Sequence, residues 1–381
     1  MKITGVRGFH LRCKLSEPIG NAVTFFDSKE ALLVEVATDE GLTGWGEAWS
    51  SPITAAAYIR GRLAPLVMGQ DPQATGRLWR SMAATAGYDR RGSAMMATAA
   101  MDIAFHDIAA QARGVPVSAL LGGALRQRAT AYASGPFMKP GGHPYRTYPA
   151  QVDAWARQGF RAFKPRGGFR PHEDAAVMVE LRRHLGPEAA LMIDFNQGYT
   201  APAAVQSARG LDPAALLWIE EPVGPEDVPG YRAVSQAVNT AIAGGEALAS
   251  LAGFRDFVVA GAMTVLQPDL AVCGGFTGVM QVAALAEAFD LPVVPHVWGA
   301  VVNHHAALQL VSVLPGRRGG GSASLPFMEV DVTENPLLHL MGEPRPDKDG
   351  TIEIPARPGL GLDLSAELLA PWVVDQWTVR L

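Results

Sequence analysis

Two regimes of hydrophobic patterning divide the chain. In the first, extended stretches precede helices. Lys2–Leu15 and Ala31–Ala37 have the apolar and β-branched character of strands, TDEG (Thr38–Gly41) is a turn, and LTGWGEA returns as the hairpin partner. Apolar residues then recur at helical spacing over Ile53–Leu66, Pro72–Thr85 and Ala94–Arg113, and Gly114 with Pro116 stops the last run. Strands followed by helices, without alternation, predict an α+β unit over residues 1–125.

From about Arg126 the pattern alternates. Strand-like Ala129–Ser134 and Phe160–Arg166 flank a helical stretch containing Gln151–Gln158, and helices are expected at Asp174–His184, Ala201–Gly210, Val228–Val238, Leu251–Ala260 and Gly278–Phe289. Each of these last five leads into a short apolar run ending in a polar residue. The last strand is expected at Pro326–Val330, so the alternating span covers residues 126–330, the size of a small TIM barrel. Gly319–Gly321 reads as a local loop signal. The Pro/Gly-rich remainder, 331–381, is too turn-rich for a further domain and is expected to pack back on the N-terminal unit.

The run-ending polar residues carry the chemistry. They are Asp194 (LMIDFNQG), Glu220 (LLWIEEP), Glu246 (AIAGGE), Asp269 (VLQPDL) and His296 (VVPHVWG), at intervals of 26, 26, 23 and 27 residues. That interval is one strand, one helix and two loops. Parallel strands deliver such residues to one face of a barrel, where clustered anions need a cation. Asp194, Glu220 and Glu246 therefore read as an all-oxygen site for Mg²⁺ rather than as strand-end acids bonded to loops. Asp269 beside His296 can fix the imidazole tautomer and make it a general base. Lys164 and Arg166, two apart on a strand, point the same way and are expected to face the cavity and contact a substrate carboxylate. His304 and His305, on a helical stretch without a matching acid, read as structural. Together these groups suit removal of the proton α to a carboxylate, with the resulting enediolate stabilised by the metal and by Lys164.

Composition narrows the class. A formal charge of −5 and the lack of a sustained Lys/Arg run give no basis for nucleic-acid binding. Two cysteines, Cys13 and Cys273, make no disulfide framework. The N-terminus shows no signal-peptide pattern, and no apolar stretch is long enough to span a bilayer, so a cytoplasmic enzyme with no membrane partner is expected.

The ordered motifs KPR (Lys164–Arg166), IDFNQG, IEEP, GGE, QPDLAVCGG, PHVWG and FMEVD resemble the mandelate racemase subgroup of the enolase superfamily over nearly the whole chain. GWGEA and the late PGLGLDL fit the same pattern. The resemblance implies an α+β capping domain completed by the C-terminal segment, a (β/α)7β barrel, Mg²⁺ held by Asp194, Glu220 and Glu246, and the Asp269–His296 dyad. It further implies Glu329 as a hydrogen-bond donor to substrate, Asn196 as a polar substrate contact, specificity from capping loops near Ser16–Asp27 and Trp49–Pro52, and a homo-oligomer. Within the subgroup the chain is most similar to the galactarolactone cycloisomerases and acid-sugar dehydratases.

One departure sets the expected reaction. The subgroup commonly carries a second Lys where this chain has Arg166, and a guanidinium does not serve as a base. With His296 the one convincing base, β-elimination from a sugar acid or its lactone is expected over racemisation or epimerisation of a 2-hydroxy acid. A non-catalytic, metal-dependent binding barrel is the reading of another class, disfavoured by the intact Lys164, Asp269 and His296.

Overall fold

The N-terminal strands Ile3–Gly20, Phe25–Thr38 and Thr43–Ala48 form one antiparallel sheet in which the second strand pairs with both others. The computed structural model describes residues 1–318 and 324–381, so the loop expected at Gly319–Gly321 lies outside the described residues. The first strand runs past its expected end at Leu15. After an irregularity between Lys14 and Ile19 it resumes pairing, Ile19 with Phe26 and Gly20 with Phe25. The segment expected as a capping loop is thus largely the tip of a long hairpin.

The helix Ser93–Gln111 lies across this sheet, and its sequence is apolar all round because it is covered all round. On the sheet side Gly44 and Gly46 let the backbones meet: a Cβ on Gly46 would stand 1.8 Å from the Ala100 carbonyl oxygen. On the far side Asp102 accepts hydrogen bonds from the Thr277 backbone N–H (3.0 Å) and hydroxyl (2.7 Å) at the start of the helix Gly275–Ala288. The run expected at Ile53–Leu66 is a helix from Pro52 to Val67 with one π turn, Ile59–Leu63, and the run expected from Pro72 begins at Thr75.

Beyond Arg126 parallel pairing links Met328–Asp331 to Arg128–Ser134, and this to Ala162–Lys164 and Ala190–Leu191. Ile193–Asp194, Trp218–Glu220, Ala241–Gly244 and Val265–Leu266 continue the series. Isolated parallel bridges Leu266–Val293 and Asp269–His296 bring in a seventh strand position. Helices Tyr148–Arg157, Pro171–Leu185, Ala201–Gly210, Val228–Ala237, Leu251–Val259, Gly275–Ala288 and Val301–Val313 fall between successive strands, which makes a (β/α)7β barrel. Such strands are covered on both faces, hence their near-continuous apolar runs.

One residue from each strand plugs the barrel interior: Tyr132, Ala162, Met192, Trp218, Ala243, Val265, Val294 and Phe327 form a single buried cluster. Side chains alternate along a strand, so the residue two positions beyond such a plug also points inward, one layer higher. Lys164, Asp194, Glu220, His296 and Glu329 each stand two beyond a member of that cluster. The plug thereby fixes which residues line the barrel mouth.

The C-terminal segment divides. Val373–Arg380 adds an edge strand to the N-terminal sheet, in register Gly5 with Arg380. Thr351–Glu353 instead pairs antiparallel with Arg128–Thr130 at the base of the barrel, a second anchorage that the turn-rich composition concealed.

His304 is buried within the helix Val301–Val313, and His305 bonds the Leu360 carbonyl through Nδ1 at 3.1 Å. Burial, helped by the neighbouring His305 and His339, pushes the His304 imidazole down to about 3. A folded value below the unfolded one means that the unfolded chain takes the proton more readily. Stability is complete above about pH 6.5 and falls as the pH drops below it, by about 2 kcal/mol at pH 5 from this group. Denaturant unfolding at pH 7 and pH 5 should show that loss in the native chain and a smaller one in His304→Leu.

Candidate active site

The barrel mouth collects Asp194, Glu220 and Glu246, each offering one carboxylate oxygen within 4.8 Å of the others. All donors are hard oxygens. Opposite ligands on an octahedral Mg²⁺ with bonds of 2.0–2.1 Å stand ~4.2 Å apart, so small side-chain adjustments suffice to close the set on one ion. The three carboxylates can hold a metal. Burial raises the pKa of each, and it does so against the pull of neighbouring cations.

Those cations are the expected pair. Lys164 is fully buried and bonds Glu220, with Glu329 at 2.9 Å and Asp194 at 4.0 Å. Burial opposes its charge, but Glu220 and Glu329 outweigh that and raise its pKa, so it is an ammonium and not a base. Arg166 bonds Asp194 and reaches the Ser134 hydroxyl at 2.9 Å. Both were expected to contact a substrate carboxylate; the groups they touch here are the acids themselves. Arg166 lines the open pocket, while Lys164 lies in the layer behind it.

His296 Nδ1 stands 2.7 Å from Asp269 Oδ2, which leaves Nε2 directed toward Glu246, 3.2 Å away. Burial alone would hold the imidazole neutral, but the Glu246, Glu329 and Asp269 carboxylates override it and raise its pKa to about 10. The strongest of those raising charges belongs to a carboxylate that a cation would neutralise.

Glu329 Oε2 accepts from the Val297 backbone N–H at 2.8 Å, and its Oε1 forms an ion pair with Lys164 at 2.9 Å. Burial would raise its pKa, but Lys164, His296 and Arg166 hold it at about 2, so here it is an acceptor, whereas the donor role requires a proton. Asn196 sits in the left-handed region (φ 42°), bonds Asp194 through its side-chain amide at 3.0 Å, and leaves its own Oδ1 unpartnered at the pocket.

Several groups were not assigned from sequence. Asp269 Oδ2 also accepts from the Trp49 indole N–H at 2.9 Å, and Oδ1 accepts from the Asn303 side-chain amide at 3.1 Å. Glu47, in GWGEA, accepts from the Asn303 backbone N–H at 2.8 Å and from that of Ala300, and so caps the helix that carries Asn303. Gln267 and Trp218 donate to Glu220 Oε2 at 2.6 and 2.9 Å. Glu221, buried with φ 42°, accepts from Gln197 at 3.0 Å. The second acid of IEEP and the Gln of LQPDL were visible as motif members. Trp49 was expected only as the start of a capping loop, and Asn303 gave no signal; their bonds to Asp269 come from other elements.

A pocket of about 350 Å³ opens over these groups. Arg166, Asn196, Glu246 and His296 line its barrel side, and Asn21, Phe26, Ser28, Lys29, Glu30 and Trp49 its capping side. This arrangement, a capped barrel with three acids in register and a His–Asp pair, is matched by two family models. The Mandelate racemase / muconate lactonizing enzyme N-terminal domain covers residues 3–122, and the Enolase C-terminal domain-like model covers 147–368. The chain belongs to the mandelate racemase subgroup of the enolase superfamily.

Relatives of this enolase-superfamily enzyme include the D-galactarolactone cycloisomerase of Agrobacterium fabrum, 35% identical over 97% of this chain and 98% of that protein. The crystal structure of the 3,6-anhydro-D-galactonate cycloisomerase from Zobellia galactanivorans superposes with a TM-score of 0.87 at 30% identity, covering 98% of this chain and 100% of that one. The L-talarate dehydratase from Polaromonas sp. JS666, solved with Mg and L-glucarate, gives 0.84 at 28% identity over 100% and 99% of the two chains. No helix among the described residues is long and apolar enough to cross a membrane.

Trp49→Phe keeps a ring beside His296 (centroids 5.8 Å apart) and deletes the N–H that bonds Asp269. Loss of a hydrogen bond to a buried carboxylate should lower kcat/KM about tenfold with thermal stability nearly unchanged. Steady-state kinetics beside a melting curve check this.

Proposed function

We propose that this enzyme removes the α-proton of a sugar acid or sugar lactone and then expels a β-oxygen, as an acid-sugar dehydratase or a lactone cycloisomerase. The observation that supports the reading is the His296 Nε2, 3.2 Å from Glu246 of the three-acid cluster, both residues lining the pocket. The family supplies enzymes named for both outcomes.

A bound Mg²⁺ would supply positive charge for the substrate carboxylate as its α-carbon gives up a proton. Arg166, on the pocket surface, orients that carboxylate, and the buried Lys164 adds field from behind. Asp269 keeps the His296 Nδ1 proton in place, so the Nε2 lone pair is the one that accepts. The α-C–H electron pair forms the new double bond as the bond to the β-oxygen breaks. The proton then on Nε2 can pass to that departing oxygen on the same face, which restores the neutral imidazole. Departure of a hydroxyl gives a dehydrated enol that tautomerises to a 2-keto acid; departure of a ring oxygen opens the lactone.

His296→Asn removes the base and leaves the three carboxylates. Turnover should fall by about 10²–10⁴-fold or beyond detection, while the Mg²⁺-induced rise in melting temperature persists. Retained activity would remove the dyad from the chemistry; loss of the Mg²⁺ response would show that His296 builds the metal site.

Arg166 in place of a second base predicts a one-sided site. In D₂O, a simple 2-hydroxy acid with no β-leaving group should show no racemisation by NMR, any exchange at C2 proceeding with retention of configuration. Rapid racemisation would establish a second base and favour the racemase reading.

A further inference from the structure

Lys29, on the second strand of the capping sheet, is the one lysine lining the capping side of the pocket, and its charge is already committed. Its ammonium lies 2.6 Å from Asp331 Oδ2, with both side chains only 3% exposed. Asp331 cannot easily be drawn away. Its Oδ1 accepts from the Thr333 backbone N–H at 3.0 Å and hydroxyl at 2.7 Å, and its Oδ2 from the Asn335 amide at 2.8 Å. The other side of the ammonium is covered by the Trp298 ring, 3.5 Å from Nζ to centroid. A cation paired with an ionised carboxylate and stacked on an aromatic face presents hydrogen-bond donors but almost no net charge.

The rest of that wall gives no compensation. Glu30 is anionic and pairs outward with His10 (3.0 Å) and Arg12 (3.2 Å). Asn21 and Ser28 are neutral. Phe26, Phe137 and Trp298 pack on one another with centroids 5.4–6.2 Å apart. Among the described residues, the lysine and arginine side chains that line this pocket are Arg166, bonded to Asp194 beside the acid cluster, and this neutralised Lys29, while the His296 imidazole lies on the barrel side against Glu246.

We propose that the enzyme selects substrates bearing a single carboxylate, with the portion of the molecule under the capping wall uncharged: a hydroxymethyl end or a closed ring. One carboxylate meets the metal and Arg166. A second one would meet a pocket wall whose one ammonium is already paired, losing its hydration without replacement. This inference rests on the sugar-acid reading above and deepens it. Family membership alone does not decide the point, since the related L-talarate dehydratase was solved with L-glucarate, a diacid.

The test compares matched pairs that differ only at the far carbon: D-galactonate with galactarate, and D-gluconate with D-glucarate. Binding is measured by calorimetry to the Mg²⁺-loaded His296→Asn enzyme, where turnover does not intervene. The monoacid should bind about tenfold or more tightly in any pair that binds. Asp331→Asn, which releases the ammonium from its partner, should narrow or reverse that ratio. A diacid that binds the parent enzyme as tightly as its monoacid overturns the proposal. So does a folded Asp331→Asn enzyme whose ratio is unchanged, because the Lys29–Asp331 pair would then not set it. If no member of either pair binds, the sugar-acid reading falls and takes this inference with it.

Discussion

Carboxylates crowded into the dry mouth of a barrel repel one another, and the surrounding structure answers to that repulsion. Asp194, Glu220, Glu246, Glu221 and Glu329 are drawn into one region where little water screens them. Two cations that resist deprotonation, Lys164 and Arg166, stand among them, and the remaining anionic charge is what a divalent ion would offset. Placing that much charge together costs folding free energy. In the proposed reaction its use would be electrostatic preorganisation: positive charge in position before the substrate's own negative charge develops.

The scaffold that holds this arrangement is apolar. A layer of plugs, one per strand, fills the barrel below, and alternation lifts the reactive groups above it. The dyad is then tuned from outside the barrel strands. Trp49 arrives from the capping unit, and Asn303 from a helix whose N-terminus is capped by Glu47 of that same unit. The basicity of His296 is therefore set jointly by barrel and cap.

The barrel and the spacing of its candidate site were readable in the chain because both are periodic. Asp194, Glu220, Glu246, Asp269 and His296 recur at the length of a βα unit, and apolar runs precede them. What was not readable depends on contacts between distant segments. Nothing local to Trp49 or Asn303 says that they bond Asp269. The hairpin tip beyond Leu15 looked like a loop because Glu17, Pro18 and Gly20 break the apolar pattern, although cross-strand pairing resumes at Ile19. Thr351–Glu353 lies in a turn-rich stretch, and its pairing with the barrel strand Arg128–Ser134 follows from where the chain must travel, not from its composition.

The carboxylates by which the capping unit grips the barrel have a mechanical consequence. Asp102 and Glu47 each satisfy the backbone donors at the start of a different barrel helix, and these grips lie beside the helix Ser93–Gln111 and next to Trp49. Parting the two units would strand buried charges and bare helix ends at once, which makes a swinging lid an expensive way to admit a molecule. The part of the pocket wall that stands outside these grips is the hairpin tip, where Asn21 lines the cavity and its Oδ1 accepts from the backbone N–H groups of the exposed Val23 and Thr24. Recognition can thus be retuned at that tip, by insertion or substitution, without disturbing the carboxylates and imidazole of the barrel mouth.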